Sequence, residues 1–422
     1  MKFLVHDYAG HPFQVQLSRQ LARGEHDVLH AYAGALQTPR GELVRRDDDP
    51  DGFDVVEVPM DPDYAKHKYS FRRRRSMEIR YGRRAAELID EWSPDVVLSS
   101  NTPTEPQSSI LKACKKGDRQ FVFWCQDFYS IAVDKLVRKK IPVLGRLIGS
   151  YYKRLERKQL RASDHVVAIT EDFKPIMVDE FGVDPAKISV IPNWAPIDSI
   201  PLHEKANAWS EEQRLDDKFV FLYTGTLGMK HNPELLIAVA EKFRDRSDVR
   251  VVVISEGIGA DWLREERDRR ELTNLVLLPY QPFSVLPEVL AGGDVLTGVL
   301  EEDAGVFSVP SKVLTYLCAR RPILLAVPEV NLAARIIKNE AAGLTVAPSD
   351  TEAYVSAAER LYADSDLASR SAENARCYAE GAFDIETIAA RFSEIITGTP
   401  SPIAAAEREK RTSRRPKAVV AT

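Results

Sequence analysis

Two stretches in the second half of the chain combine glycine, lysine and helix-start residues at spacings suited to a phosphorylated ligand. In YTGTLGMKHNPELLIAVA, Gly225 and Gly228 follow a strand-like run, Lys230 comes two residues later, and Asn232 with Pro233 opens a helical period. Glycines let backbone approach phosphate oxygens, a helix N-terminus adds partial positive charge, and a lysine adds a full one. In EEDAGVFSVPSKVLTYLCARRPILLA, the acids Glu301 and Glu302 precede a turn containing Gly305, and Pro310 with Ser311 starts a second helix. The first N–H groups of that helix, at Ser311, Lys312 and Val313, are free to bind a diphosphate without a metal. Each pattern also fits plain structure: a strand-to-helix turn with a surface lysine, and a capped core helix.

The elements that must position these residues recur regularly. KFLVHDY is followed by helical period over 14–22, DVVLSS by 107–116, and QFVFWCQDFY by a long basic helical stretch, before HVVAIT and PAKISVIPNW. Such alternation predicts a doubly wound α/β unit with a parallel sheet. The pattern restarts with KFVFLYTG, VRVVVIS, LVLLPY, GGDVLTGVL, RPILLAV and AGLTVAP. The expected division is a first domain over 1–197, a linker over 198–217 where periodicity lapses, a second domain over 218–398, and a disordered basic tail over 399–422. A chain of 422 residues has room for two such domains. Ligands of open parallel sheets bind at the carboxyl ends of the strands.

Composition narrows the function class. With 44% hydrophobic and 29% charged residues and a formal net charge of −5, the chain carries no overall nucleic-acid signature. No apolar run is long enough to span a bilayer and no signal-peptide core is evident, so a cytoplasmic protein is expected. Cys114, Cys125, Cys318 and Cys377 are scattered without metal or redox spacing and are expected to be buried thiols; no metal and no cofactor are expected. Within 64–84, Lys66, Lys68, Arg72, Arg73, Arg74, Arg75, Arg80, Arg83 and Arg84 face one acid, Glu78. Over 135–161, basic residues alternate with apolar ones at helical spacing, which suits the inner face of an anionic membrane as well as a solvated helix face. No groove-reading module accompanies these runs, so nucleic acid is not an expected partner.

Taken together, AGHPFQVQLSRQLARGEHDV, the segment around Asp127, SVIPNW, YTGTLGMKHNPELL, NLVLLPYQP and VPSKVLTYLCARRPILLA resemble the family 4 retaining glycosyltransferases over nearly the whole chain. The resemblance implies the GT-B fold of two facing Rossmann-like domains. It also implies a metal-independent, retaining hexosyl transfer from a nucleotide-sugar, UDP-sugar first, to a saccharide or polyprenyl-diphosphate-linked acceptor in cell-surface polysaccharide biosynthesis. It sets the base near Tyr280 and Gln281, the phosphates at Lys230 and the Ser311 helix start, and Gly10 of the Gly10-His11-Pro12 turn near the sugar or leaving phosphate. It makes Asp127 of CQDFY a candidate to orient the acceptor hydroxyl or take its proton; the same residue would serve as a helix N-cap. The family commonly carries two glutamates eight positions apart. Phe307 and Thr315 stand at those positions, which leaves Glu302 or Glu301 to serve the donor sugar or to remain a solvated acid. A sugar-nucleotide epimerase of the same fold and an inactive GT-B scaffold are the alternatives.

Overall fold

Near-continuous apolar runs cannot leave either face in water, so their strands sit in sheets covered on both sides by helices. The computed structural model describes residues 1–24, 26–34, 41–67, 70–100, 102–228, 231–300 and 310–405. These residues form two compact units, 1–192 with 384–405, and 193–383.

In the first unit, β1 (Lys2–Asp7), β2 (Asp27–Ala33), β3 (Phe53–Val58), β4 (Val96–Ser100), β5 (Gln120–Cys125), β6 (His165–Ala168) and β7 (Ile188–Val190) make one parallel sheet in the order β3-β2-β1-β4-β5-β6-β7. All five residues of β4 are buried, as are all but the first of β5, while β3, at the sheet edge, buries only Phe53 and Val58 at its two ends. β2 and β3 escaped the sequence reading because histidine, tyrosine and charged residues interrupt their apolar runs. The order reverses between β1 and β4, which pair on opposite sides of the switch with Asp7 beside Ser100.

The second unit repeats the design. β8 (Phe219–Thr224), β9 (Val249–Ile254), β10 (Leu275–Leu278), β11 (Val295–Val299), β12 (Ile323–Ala326) and β13 (Gly343–Val346) take the parallel order β10-β9-β8-β11-β12-β13, with the reversal between β8 and β11. Its core joins Phe221, Tyr223, Val251 and Val253 of the sheet to Leu235, Ile237 and Phe243 of the helical layer.

Three boundaries differ from the sequence expectation. The 198–217 interval is no free linker: Asn207 and Ser210 form a reciprocal capping box that starts a short helix, Ala208–Glu212, and Trp209 is buried with its Nε1 donating to Gln281 Oε1 at 3.1 Å. The second unit ends before residue 398, because the Ile385–Thr397 helix packs in the first unit against Pro12–Arg23, and Phe392 meets Trp124 at 4.8 Å between ring centroids. The 399–422 tail is ordered at its start, with Ala404 buried and the Ala405 N–H donating to Ser401 O at 2.9 Å; residues from 406 lie outside the described ones. Phe392→Ala is expected to destabilise the first unit by about 3–5 kcal/mol. Urea unfolding followed by Trp124 fluorescence checks this, and a transition of the second unit that moves instead would refute the assignment.

Cys114, Cys125 and Cys318 are buried as expected, but Cys377 is exposed, because its position on the Ser365–Ala382 helix faces outward.

Candidate functional site

In the second unit the turn after β8 and the Ser311–Cys318 helix after β11 flank the point where strand order reverses, the place where such sheets take ligands. Gly225 has φ +108°, a conformation that strains any residue with a Cβ, and a Cβ there would lie 3.4 Å from Lys312 Cε. Thr224 N–H donates to Tyr316 Oη at 2.9 Å, and Tyr223 Oη donates to Thr226 O at 2.8 Å, so the turn is pinned by two tyrosines of the core. Its far end is set by Gly259, whose N–H donates to Leu227 O at 3.1 Å and which has no room for a Cβ.

Lys312 is the unusual group. Its side chain is half-buried overall, yet the ammonium nitrogen is shielded from solvent and has no hydrogen-bond partner among the described residues. Nζ sits 3.6 Å above the Tyr223 ring centroid, a cation–π contact beside the Gly225 turn. Burial pulls its pKa down to about 7. A shielded cation that meets no acid among the described residues, next to a glycine turn and a helix start, is suited to take a phosphate oxygen.

The remaining expected residues distribute as follows. Pro310 is the N-cap and Ser311 the first residue of the helix, but the Val313 N–H donates to Pro310 O at 3.0 Å, which leaves Ser311 and Lys312 as the N–H groups of that turn with no acceptor among the described residues. Thr315 is partly buried on the same helix. Gly228 N–H donates to His231 Nδ1 at 2.8 Å and so closes the turn. Tyr280 is 43% exposed with its hydroxyl 3.3 Å from Thr226 Oγ1, which brings it to the phosphate turn. Gln281 is engaged at both ends of its amide, accepting from Trp209 and donating to Pro279 O at 2.9 Å. Lys230, Glu301, Glu302, Gly305 and Phe307 lie outside the described residues. Sequence reasoning passed over Ser255, whose buried hydroxyl has no partner at the carboxyl end of β9, although the Ser255-Glu256-Gly257 break after that strand is a visible signal.

In the first unit, Gly10 and Asp127 stand at the same carboxyl edge, beyond β1 and β5 with β4 between them. Gly10 has φ +77°. Asp7 before it is fully buried; burial pushes its pKa up, but His11, through its charge and its hydrogen bonds, pulls it below the usual value. Asp127 is not the N-cap of the following Tyr129–Lys140 helix, which begins at Phe128 without a side-chain cap. That work falls to buried Glu156, which accepts from Ser130 Oγ at 2.5 Å and Ser130 N at 3.2 Å and is pushed by burial to about 7. Asp127 is exposed as a residue, its carboxylate makes no hydrogen bond among the described residues, and desolvation of that carboxylate raises its pKa.

Among the described residues no three His, Cys, Asp or Glu side chains gather to hold a metal, and no helix is long and apolar enough to cross a membrane.

Two doubly wound parallel units, each with its sheet reversing at one point, define a GT-B glycosyltransferase. Residues 13–199 match the model of Glycosyltransferase Family 4, and residues 205–377 that of Glycosyl transferases group 1. The chain belongs to the family 4 glycosyltransferases. It is 26% identical over 313 residues, 73% of this chain and 75% of the other, to the Escherichia coli K12 glycosyl transferase WcaI, provisionally assigned to colanic acid biosynthesis. It is 29% identical over 168 residues, 39% of this chain and 42% of the other, to the alpha-D-kanosaminyltransferase of Streptomyces kanamyceticus. The Anabaena protein Alr3699/HepE, solved in complex with UDP and glucose, superposes with a TM-score of 0.69 at 14% identity, covering 94% of this chain and 100% of that one.

Proposed function

We propose that this enzyme moves a hexosyl group from a UDP-sugar to a lipid-linked or saccharide acceptor, with retained anomeric configuration and without a metal ion, in cell-surface polysaccharide assembly. The observation that carries the donor half is Lys312: a shielded ammonium with no hydrogen-bond partner among the described residues, between a strained glycine turn and a helix start. A nucleoside diphosphate supplies the missing negative charge. As the glycosidic bond to the diphosphate breaks, charge grows on the leaving oxygens, and Lys312 with the open N–H groups of Ser311 and Lys312 stabilises it more than the bound ground state. Lys230 adds a second cation in this reading. Asp127 orients the acceptor hydroxyl and takes its proton. UDP or UDP-glucose in the Anabaena neighbour, and colanic acid assembly for the E. coli relative, support the donor and the pathway class.

Isothermal titration of UDP, GDP and dTDP with and without EDTA tests the reading. One diphosphate, UDP first, is expected to bind with a Kd unchanged by EDTA; binding that vanishes with EDTA refutes metal independence, and no binding refutes the donor site. The anomeric proton coupling of the purified product decides retention.

A further inference from the structure

We propose that a groove between the Phe71–Trp92 and Pro142–Ala162 helices of the first unit seats the diphosphate of a lipid-linked acceptor, with its hydrocarbon chain laid along the apolar ridge of the second helix. This names a site for the acceptor half of the proposed function and rests on that reading.

The site is a solvent-open groove of about 520 Å³, within the range of small-ligand sites, walled by Phe71, Arg72 and Arg75 from one helix and Leu147, Ile148, Tyr151 and Tyr152 from the other. Arg72 is exposed and pairs with nothing among the described residues. Arg75 is held in place: Nε donates to buried Glu105 at 2.7 Å and Nη2 to Tyr151 Oη at 3.3 Å, while Tyr152 Oη donates to the same Glu105 oxygen at 2.7 Å. That leaves Nη1 without a partner among the described residues, on a guanidinium whose orientation is fixed before any ligand arrives. Arg74 pairs with Glu78 inside the basic run and Arg80 with Asp61 before it. Arg72 brings to the mouth of the groove a positive charge that no acid among the described residues pairs, while Glu105 balances Arg75.

The ridge beside it is apolar and open. Val143 is 84% exposed and Leu147 69%, with Leu144 and Tyr151 exposed alongside, and positions 143, 147 and 151 share one helix face. An apolar stripe left in water beside a cationic pocket matches a molecule with a hydrocarbon tail and a phosphate head. Nucleic acid lacks the tail, and a bilayer headgroup alone does not use a groove of this size. Tyr152 of the groove wall packs on the helix that follows the candidate acceptor residue, meeting the Tyr129 ring at 6.0 Å between centroids.

Vesicle flotation of the full chain tests the site, using phosphatidylcholine vesicles that are plain, doped with a polyprenyl diphosphate, or doped with phosphatidylglycerol to the same charge. The protein is expected to float with the polyprenyl diphosphate vesicles well above the charge-matched ones. Arg72→Glu is expected to weaken that binding about 30-fold, the effect of two unit charges at an anionic surface, and Leu147→Ser about tenfold. Both are surface changes that leave thermal unfolding intact. Equal flotation at matched charge, no flotation, or indifference to Arg72→Glu overturns the site. No donor is present in the assay, so its failure is distinguishable from a failure of the UDP titration.

Discussion

Lys312→Met is expected to weaken UDP-sugar binding by about 10- to 100-fold, the range for loss of a hydrogen bond to a charged group, and at the same time to raise the melting temperature of the unliganded protein. The second effect follows from burial: an ammonium held out of water with no hydrogen-bond partner among the described residues destabilises the fold, and methionine fills the same space without that cost. Each kcal/mol recovered is worth roughly 2–4 °C in a unit of this size. The sign with pH is specific. The lysine, ordinarily at 10.5, sits at about 7 in the free protein, so above pH 7 it is neutral and donor binding must take up a proton. Affinity of the native enzyme should fall as pH rises above 7, and that of the variant should stay flat. Over the same window, from about 7 up to 10.5, the unfolded chain holds a proton that the folded one lacks, so the native protein gains stability with pH relative to the variant; below 7 the difference is constant. Calorimetric titration in buffers of different ionisation enthalpy reads the proton directly. An unchanged Kd, or a lower melting temperature, would assign Lys312 to packing alone.

Asp127→Asn is expected to lower kcat by about 10²- to 10⁴-fold, the contribution of a positioned general base, with little change in nucleotide Kd or in stability. The carboxylate makes no hydrogen bond among the described residues and Glu156 caps the helix that follows, so no structural role is lost. Because desolvation raises the pKa of Asp127, the acidic limb of kcat/KM should lie above the ordinary carboxylate value of 3.8 and disappear in the variant. Turnover at the native rate would move the role to another residue.

Local pattern made most of the architecture legible. β4 and β5 read as apolar runs because both faces of a parallel sheet are covered, and the Ser311 helix start was visible because Pro310 and Ser311 are residues of that position. The glycine turn at Gly225 was legible for the same reason, since few other residues tolerate its φ. β2 and β3 were not, because a strand that buries His30, or one at a sheet edge that carries Asp54 and Glu57, loses the continuous apolar run. The 198–217 interval misled because a five-residue helix has no measurable period, and its docking rests on buried Trp209, on hydrogen bonds to Glu288 and on the Lys205–Asp294 ion pair.

The sequence by itself determined that two parallel α/β units exist and where the phosphate-type turns fall, because hydrophobic period, glycine and helix-start residues act over a few neighbours. Only the tertiary structure decided that the Ile385–Thr397 helix returns to the first unit, that Glu156 rather than Asp127 caps the Tyr129–Lys140 helix, and that the Lys312 ammonium has no hydrogen-bond partner among the described residues. Those outcomes depend on which side chains, tens or hundreds of residues apart, come within a few ångströms of one another. No local spacing encodes that.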